Sequence, residues 1–225
     1  MQIDIKNANF KFYKWTCPFK LSDLEKELEK IKADLKEGGQ DGFVLPDLSE
    51  DGQVVISKYH AAVGKELNVL NDDGVVRLEK FYQLSECVIV ISREFIAYSG
   101  DIYAWKGALL ELMKLTKTEP TEINVKVEKL QKIMDSMAFI RNIALDKIES
   151  PNVKRASFVG KIESTADLGS LAQYDSIVKN VKGVVNTPFG VRTIKITSDG
   201  KVQIAKKKEE DVAHDTIVWM FNLIR

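Results

Sequence analysis

The tetrad Ser198-Asp199-Gly200-Lys201 constrains this chain more than any other stretch. Asp-Gly accepts the positive φ that a tight hairpin turn needs. On its N-terminal side Arg192, Ile194 and Ile196 alternate with Val191, Thr193 and Lys195, and on its C-terminal side Val202 and Ile204 share one face. Two strands are therefore joined here. A helix follows from near Lys208, with Glu209, Glu210 and Asp211 in its first turn, where acidic groups oppose the helix dipole. Ala213, Ile217, Met220, Phe221 and Ile224 recur at helical spacing and form its expected buried face.

The residues before this hairpin extend the pattern. Ala156, Phe158, Gly160 and Ile162 alternate as a half-buried strand. Thr165 or Asp167 can cap a helix running to about Asn180, with Leu168, Leu171, Ile177 and Val178 inward. Val181 to Asn186 then leads into the turn Thr187-Pro188-Phe189-Gly190.

In the N-terminal half, Ile3, Ile5, Phe10 and Phe12 mark a strand, with a bulge at Asn7-Ala8-Asn9, and Ser22-Asp23-Leu24-Glu25 reads as a capping box. The helix it opens runs to about Lys36 on Leu21, Leu24, Leu28, Ile31 and Leu35. Val54-Val55-Ile56 suits a strand, and His60 to Gly64 a turn or short helix. After the turn Asn71-Asp72-Asp73-Gly74, the runs Val75 to Leu84 and Glu86 to Ser92 read as paired strands. Arg93-Glu94 reverses the chain into Phe95 to Tyr98. Ser99 or Asp101 then caps a helix that buries Trp105, Ala108, Leu109, Leu112 and Met113. Pro120 suits the start of a further helix with the stripe Ile123, Val127, Leu130, Met134 and Met137. Phe139 to Ile148 either continues it or forms a strand paired with Val153 to Ile162.

The strand-turn-strand-helix order at 88–98 matches that at 193–204, and an earlier helix precedes each. The expected fold is α+β: two related β-α-β-β-β-α halves, each an antiparallel sheet with helices on one face. The boundaries are 1–118 for the N-terminal half, 119–150 for a helical connector and 151–225 for the C-terminal half. This order resembles the TATA-box-binding-protein-like fold. Ile194 to Val212, with its hairpin turn before an acidic helix start, is similar to the close of a repeat in that family. The resemblance implies two repeats forming one curved sheet. It carries over no binding residues, because the paired phenylalanines that DNA-binding members insert into DNA find no match and Phe189 lies in a turn.

Composition sets the remaining bounds. The chain has 225 residues, 44% of them hydrophobic, enough for one large core or two smaller ones. A purely apolar run of five residues such as Cys87 to Ile91, a length no other run exceeds, is far too short to span a bilayer. The N-terminus lacks the apolar core of a signal peptide, so a cytoplasmic location without membrane contact is expected. Two cysteines, Cys17 and Cys87, make no CxxC pair. No phosphate-binding glycine motif and no GxSxG elbow occurs. His60 and His214 stand away from any ligand-spaced partner. Asp72-Asp73 and Glu209-Glu210-Asp211 have structural reasons to be where they are. No catalytic residue, metal or cofactor is expected.

Net charge is zero but unevenly spread. Residues 151–208 hold 11 Lys and Arg against 4 Asp and Glu, a local excess of +7. Lys154, Arg155, Lys161, Arg192, Lys195, Lys201, Lys206, Lys207 and Lys208 are the candidate nucleic-acid contacts. Few aromatic groups interleave with them, so DNA or RNA binding here would be electrostatic and salt-dependent. The expected function is that of a non-enzymatic interaction protein, with nucleic-acid binding through the basic strands of the C-terminal half as its sharpest form. One alternative is a protein–protein scaffold or homodimer using exposed sheet edges or the Trp219-Met220-Phe221 cluster. The other is an enzyme or small-molecule binder with a pocket between the halves.

Overall fold

The computed structural model describes residues 9–34, 40–70, 74, 76–148, 153–162, 177–205 and 213–225. The protein is α+β, with four helices and eleven strands among these residues. It divides into two compact units, Trp15–Pro120 and Gln2–Lys14 with Thr121–Arg225.

The first unit contains α1 (Leu21–Lys30), β2 (Gly42–Leu48), β3 (Val55–Leu70), β4 (Val76–Ile91), β5 (Phe95–Gly100) and α2 (Ile102–Thr116). Its strands pair antiparallel in sequence order, β2-β3-β4-β5. Asp101 starts α2, accepting a 2.7 Å hydrogen bond from the Tyr103 amide. The helix buries Ala104, Trp105, Ala108, Leu112 and Thr116. Trp105 stacks on Tyr98 with ring centroids 4.5 Å apart, and Phe43 meets Tyr59 edge-on at 5.0 Å. A Cβ added at Gly107 would lie 2.9 Å from the Tyr59 ring, so glycine lets α2 approach the sheet.

The second unit contains β1 (Asn9–Lys14), β6 (Thr121–Glu122), α3 (Val127–Asp135), β7 (Phe139–Asp146), β8 (Arg155–Ile162), β9 (Ile177–Thr187), β10 (Gly190–Thr197), β11 (Lys201–Ile204) and α4 (His214–Ile224). Its antiparallel sheet runs β1-β11-β10-β9-β7-β8, with β6 also paired to β1. Phe10, Phe12, Val202, Ile204, Ile194, Ile196, Val181 and Ile143 are buried. Phe221 of α4 packs 6.2 Å from Phe12. The Ser198–Lys201 hairpin forms as expected, with Gly200 at φ +79°. Residues 119–150 contribute β6, α3 and β7, and β7 pairs with β8, which resolves the open choice at 139–148 in favour of a strand.

Several sequence expectations are corrected. The chain does not turn at His60 to Gly64; β3 passes straight through it, because every residue from Val55 to Leu70 has a partner on β4. The runs 75–84 and 86–92 are one strand rather than a pair. Ser85 does not break it; the serine is buried, and its Oγ accepts the Ala104 amide at 3.2 Å. The Ser22 capping box is absent, since α1 starts at Leu21 after Lys20 and has no side-chain cap. That helix ends at Lys30, where Ile31 and Ala33 turn back to hydrogen-bond with Phe43. Pro120 opens no helix: Thr121–Glu122 pairs with β1, and α3 starts only at Val127. Ile177 to Asn180 is strand rather than helix, held by β7 and β10. Ala213 is an exposed helix N-cap rather than part of the buried face. The expected caps at Thr165 and Asp167 and the acidic turn at 209–211 lie outside the described residues.

Candidate interaction surfaces

Strand β3 outruns its neighbours. On one side β2 accompanies it only as far as His60, opposite Gly42. On the other side β4 keeps β5 only as far as Cys87, opposite Gly100. Two groups finish these edges. The Asp41 carboxylate accepts the Ala62 amide at 2.8 Å, and the Glu86 carbonyl accepts the Asp101 amide at 3.0 Å. Beyond them β3 and β4 continue as a two-stranded arm, from Ala62 opposite Leu84 to Leu70 opposite Val76. At about 3.4 Å per residue the arm extends about 30 Å.

Alternation along the arm puts Leu70, Val76, Leu78, Tyr82 and Leu84 on one face, and each is between 50 and 68% exposed. Glu66 and Lys80 lie opposite each other on the same face, joined by a 3.4 Å ion pair. They separate a tip cluster (Leu70, Val76, Leu78) from a root cluster (Tyr82, Leu84). Tyr82 leans across the strand onto Gly64, where a Cβ would sit 3.7 Å from its ring. The other face carries Val63, Lys65, Leu67, Val69, Arg77, Glu79, Phe81 and Gln83; of its apolar groups only Leu67 is more than half exposed. Single exposed leucines are ordinary on a protein surface, but five large apolar groups in one strip are not. A two-stranded ribbon is also marginally stable alone in water.

At the root of the arm His60 stands opposite Glu86, with Nε2 3.4 Å from the carboxylate. Neither imidazole nitrogen makes a hydrogen bond within the described residues. Neither thiol suits nucleophilic chemistry. Burial, reinforced by Asp101 and Glu86, pushes the Cys87 thiol up to about 12. Burial also raises the Cys17 thiol, outweighing its hydrogen bond from Phe19 and the charge of Arg93.

In the second unit the sheet face opposite the apolar one carries a row of polar groups. Lys195 of β10 lies between Gln203 of β11 and Lys182 of β9, and Lys182 lies opposite Asn142 of β7. Lys182 and Lys195 have no acidic partner among the described residues. Two residues along β11 from Gln203, Lys201 faces Lys11 of β1. Lys11 is 8% exposed and bonds both the carbonyl and the carboxylate of Asp199, the latter at 3.2 Å. Burial would raise the Asp199 carboxyl. The Thr197 hydroxyl, Lys11 and Lys201 outweigh it and hold the group below its ordinary 3.8.

Asp199→Ala is therefore expected to cost about 2 kcal/mol, below the full loss for a buried pair because Asp199 is half exposed. Adding Lys11→Met should recover most of it, as urea midpoints would show. A carboxyl depressed in the folded state contributes stability above its ordinary range. That contribution should fade as pH falls from about 4 through the folded value, and it should be missing from the variant.

The sheet does not gather the six expected nucleic-acid contacts that lie among the described residues. Lys195 and Lys201 share the polar face, whereas Arg192 alternates to the opposite side with Ile194. Arg155 is held 3.0 Å from Asp146, which also lies 3.6 Å from Lys179. Lys154 precedes β8, Lys161 lies near its far end, and Lys206, Lys207 and Lys208 are outside the described residues. Lys182 and the buried Lys11 share the polar face and were not among the nine candidates. Met220 and Phe221 of the Trp219-Met220-Phe221 cluster are buried in their own unit's core, and Trp219 is half-buried. No described helix is long and apolar enough to cross a membrane. No known family pattern matches the chain, and no curated protein is similar to it in sequence.

Proposed function

We propose that this protein is a non-catalytic interaction module whose contact element is the β3–β4 arm. One observation carries the reading: both strands leave their sheet neighbours and present a strip of large apolar side chains to solvent. Burying that strip against a partner would supply the cover that two strands lack. The buried thiols, with their raised proton affinity, support a non-catalytic role.

The two units are, in this reading, variants of one plan. One runs α1-β2-β3-β4-β5-α2 and the other α3-β7-β8-β9-β10-β11-α4, and each closes on a tight strand pair followed by a helix. Among the described residues only the first has lengthened a hairpin into an arm, which supports a function specific to that element.

The test is excision. Removing Gly64 to Tyr82 and joining Val63 to Gln83 through Asn-Gly keeps the register pair Val63–Gln83 and supplies a two-residue hairpin turn. The shortened protein should still unfold cooperatively and lose the partners that the intact protein captures from its own source lysate. Identical captured sets would overturn the reading.

A second reading rests on Lys182 and Lys195. Like charges directly opposite across strands are unfavourable unless something anionic lies over them. A polyanion such as DNA or RNA would neutralise them together with Lys201. Three phosphate contacts imply a loss of affinity of about 40-fold between about 50 and 200 mM salt. Fluorescence anisotropy with labelled single- and double-stranded DNA and RNA measures it. Lys182→Glu with Lys195→Glu should abolish binding, and no binding at the lower salt would remove this reading.

A further inference from the structure

We infer that the occupant of the arm's apolar face is the same face of a second copy of this chain, an inference that rests on the arm being the contact element. The strip suits an isologous contact, in which one patch meets itself across a two-fold axis. Its two apolar clusters lie on either side of the Glu66–Lys80 row. An axis crossing the arm at that row lays the tip cluster of one copy on the root cluster of the other. Leu70, Val76 and Leu78 then meet Tyr82 and Leu84, and each Lys80 has the Glu66 carboxylates of both arms within side-chain reach.

Charge points the same way. From 62 to 70 and from 76 to 84 the arm carries Lys65, Arg77 and Lys80 against Glu66 and Glu79, both signs interleaved. Such a strip directs neither a strongly acidic nor a strongly basic partner toward itself, but it is compatible with its own copy. Area agrees. The five exposed side chains offer roughly 600 Å² per arm, so two copies would hide roughly 1,200 Å², the lower end of specific interfaces. A dimer of that size held by a flat apolar strip has an expected dissociation constant of about 10 µM.

Sedimentation equilibrium of the full chain from about 1 to 200 µM tests this directly. The mass should climb from the 25.4 kDa monomer towards twice that value. Leu78→Glu with Tyr82→Glu should hold the monomer mass throughout, with an unchanged far-ultraviolet spectrum. Placement is read separately with single cysteines and a short bismaleimide. Lys80→Cys, on the axis, should crosslink to its own copy, and Arg77→Cys, on the other face, should not. Cys17 and Cys87 are buried and leave the background low. A monomer at every concentration overturns the second copy, while the excision experiment on source lysate still decides whether the arm binds another protein. A dimer indifferent to the double variant, or equal crosslinking at 77 and 80, overturns the proposed face.

Discussion

Replacing Leu78 and Tyr82 by glutamate is expected to weaken partner binding at least a hundredfold while leaving the body of the protein folded. Tyr82 is the aromatic group of the root cluster and Leu78 belongs to the tip cluster; both sit at or above half exposure. Side chains at the centre of an interface commonly cost about 2 kcal/mol or more when truncated, with aromatic groups prominent among them. A carboxylate in the same place adds the penalty of removing a charge from water. A combined loss of about 3 kcal/mol corresponds to a factor of roughly 150 in affinity. Folding should respond far less. Neither side chain reaches the core, and exposed strand positions differ by at most about 1 kcal/mol in intrinsic preference. Titration by biolayer interferometry against the captured partner, alongside a thermal melt, separates the two effects. Unchanged affinity would show that the strip is not the contact.

The largest effect on stability is expected at Trp105. Its ring is 2% exposed and lies parallel to Tyr98, at a 5° angle between planes, on the helix that covers the first unit's sheet. Trp105→Ala should cost about 4 kcal/mol, combining lost burial, the cavity left behind and the lost stacking. Against a typical total of about 5–15 kcal/mol, this is a large share. Urea unfolding followed by far-ultraviolet dichroism checks it, and a loss under about 1 kcal/mol would contradict the packing described. Tyr82 is the contrast: of two large aromatic groups in one unit, one is buried and serves stability, and the other is 64% exposed and, in the proposed function, serves contact.

Elements whose signal is local were legible from residue order. The Asp199-Gly200 turn, the Pro188-Phe189 turn, the Asp101 cap and the buried stripe of α2 each depend on a few adjacent residues. Elements set by distant partners were not. Ile177 to Asn180 has a helix-compatible pattern, but strands from both sides claim it. Lys11 reads as the polar position between Phe10 and Phe12, yet it is buried against a carboxylate 188 positions away. The arm was missed for a related reason. Gly64 suggested a turn and Ser85 a break, whereas the glycine continues the strand opposite Tyr82 and the serine caps a buried amide. A signal was present: Val63, Leu67 and Val69 before Asn71-Asp72-Asp73-Gly74, and Val76, Leu78, Tyr82 and Leu84 after it, recur at strand spacing, although register puts the two sets on opposite faces. The basic strands were visible in composition, but which lysines share a face depends on register. Register placed Lys182 beside Lys195 and turned Arg192 away.

The most direct measurement is hydrogen exchange across residues 62–84 in protein isolated gently from its own source, compared with the Leu78→Glu, Tyr82→Glu variant. Outer-edge amides of an uncovered two-stranded arm exchange quickly, and a partner seated on its face also slows opening of the paired ones. Slower exchange throughout 62–84 in the native protein, with residues 85–100 alike in both, is the expected result. Equal, rapid exchange of the arm in both proteins would contradict the claim that this arm is where the molecule does its binding.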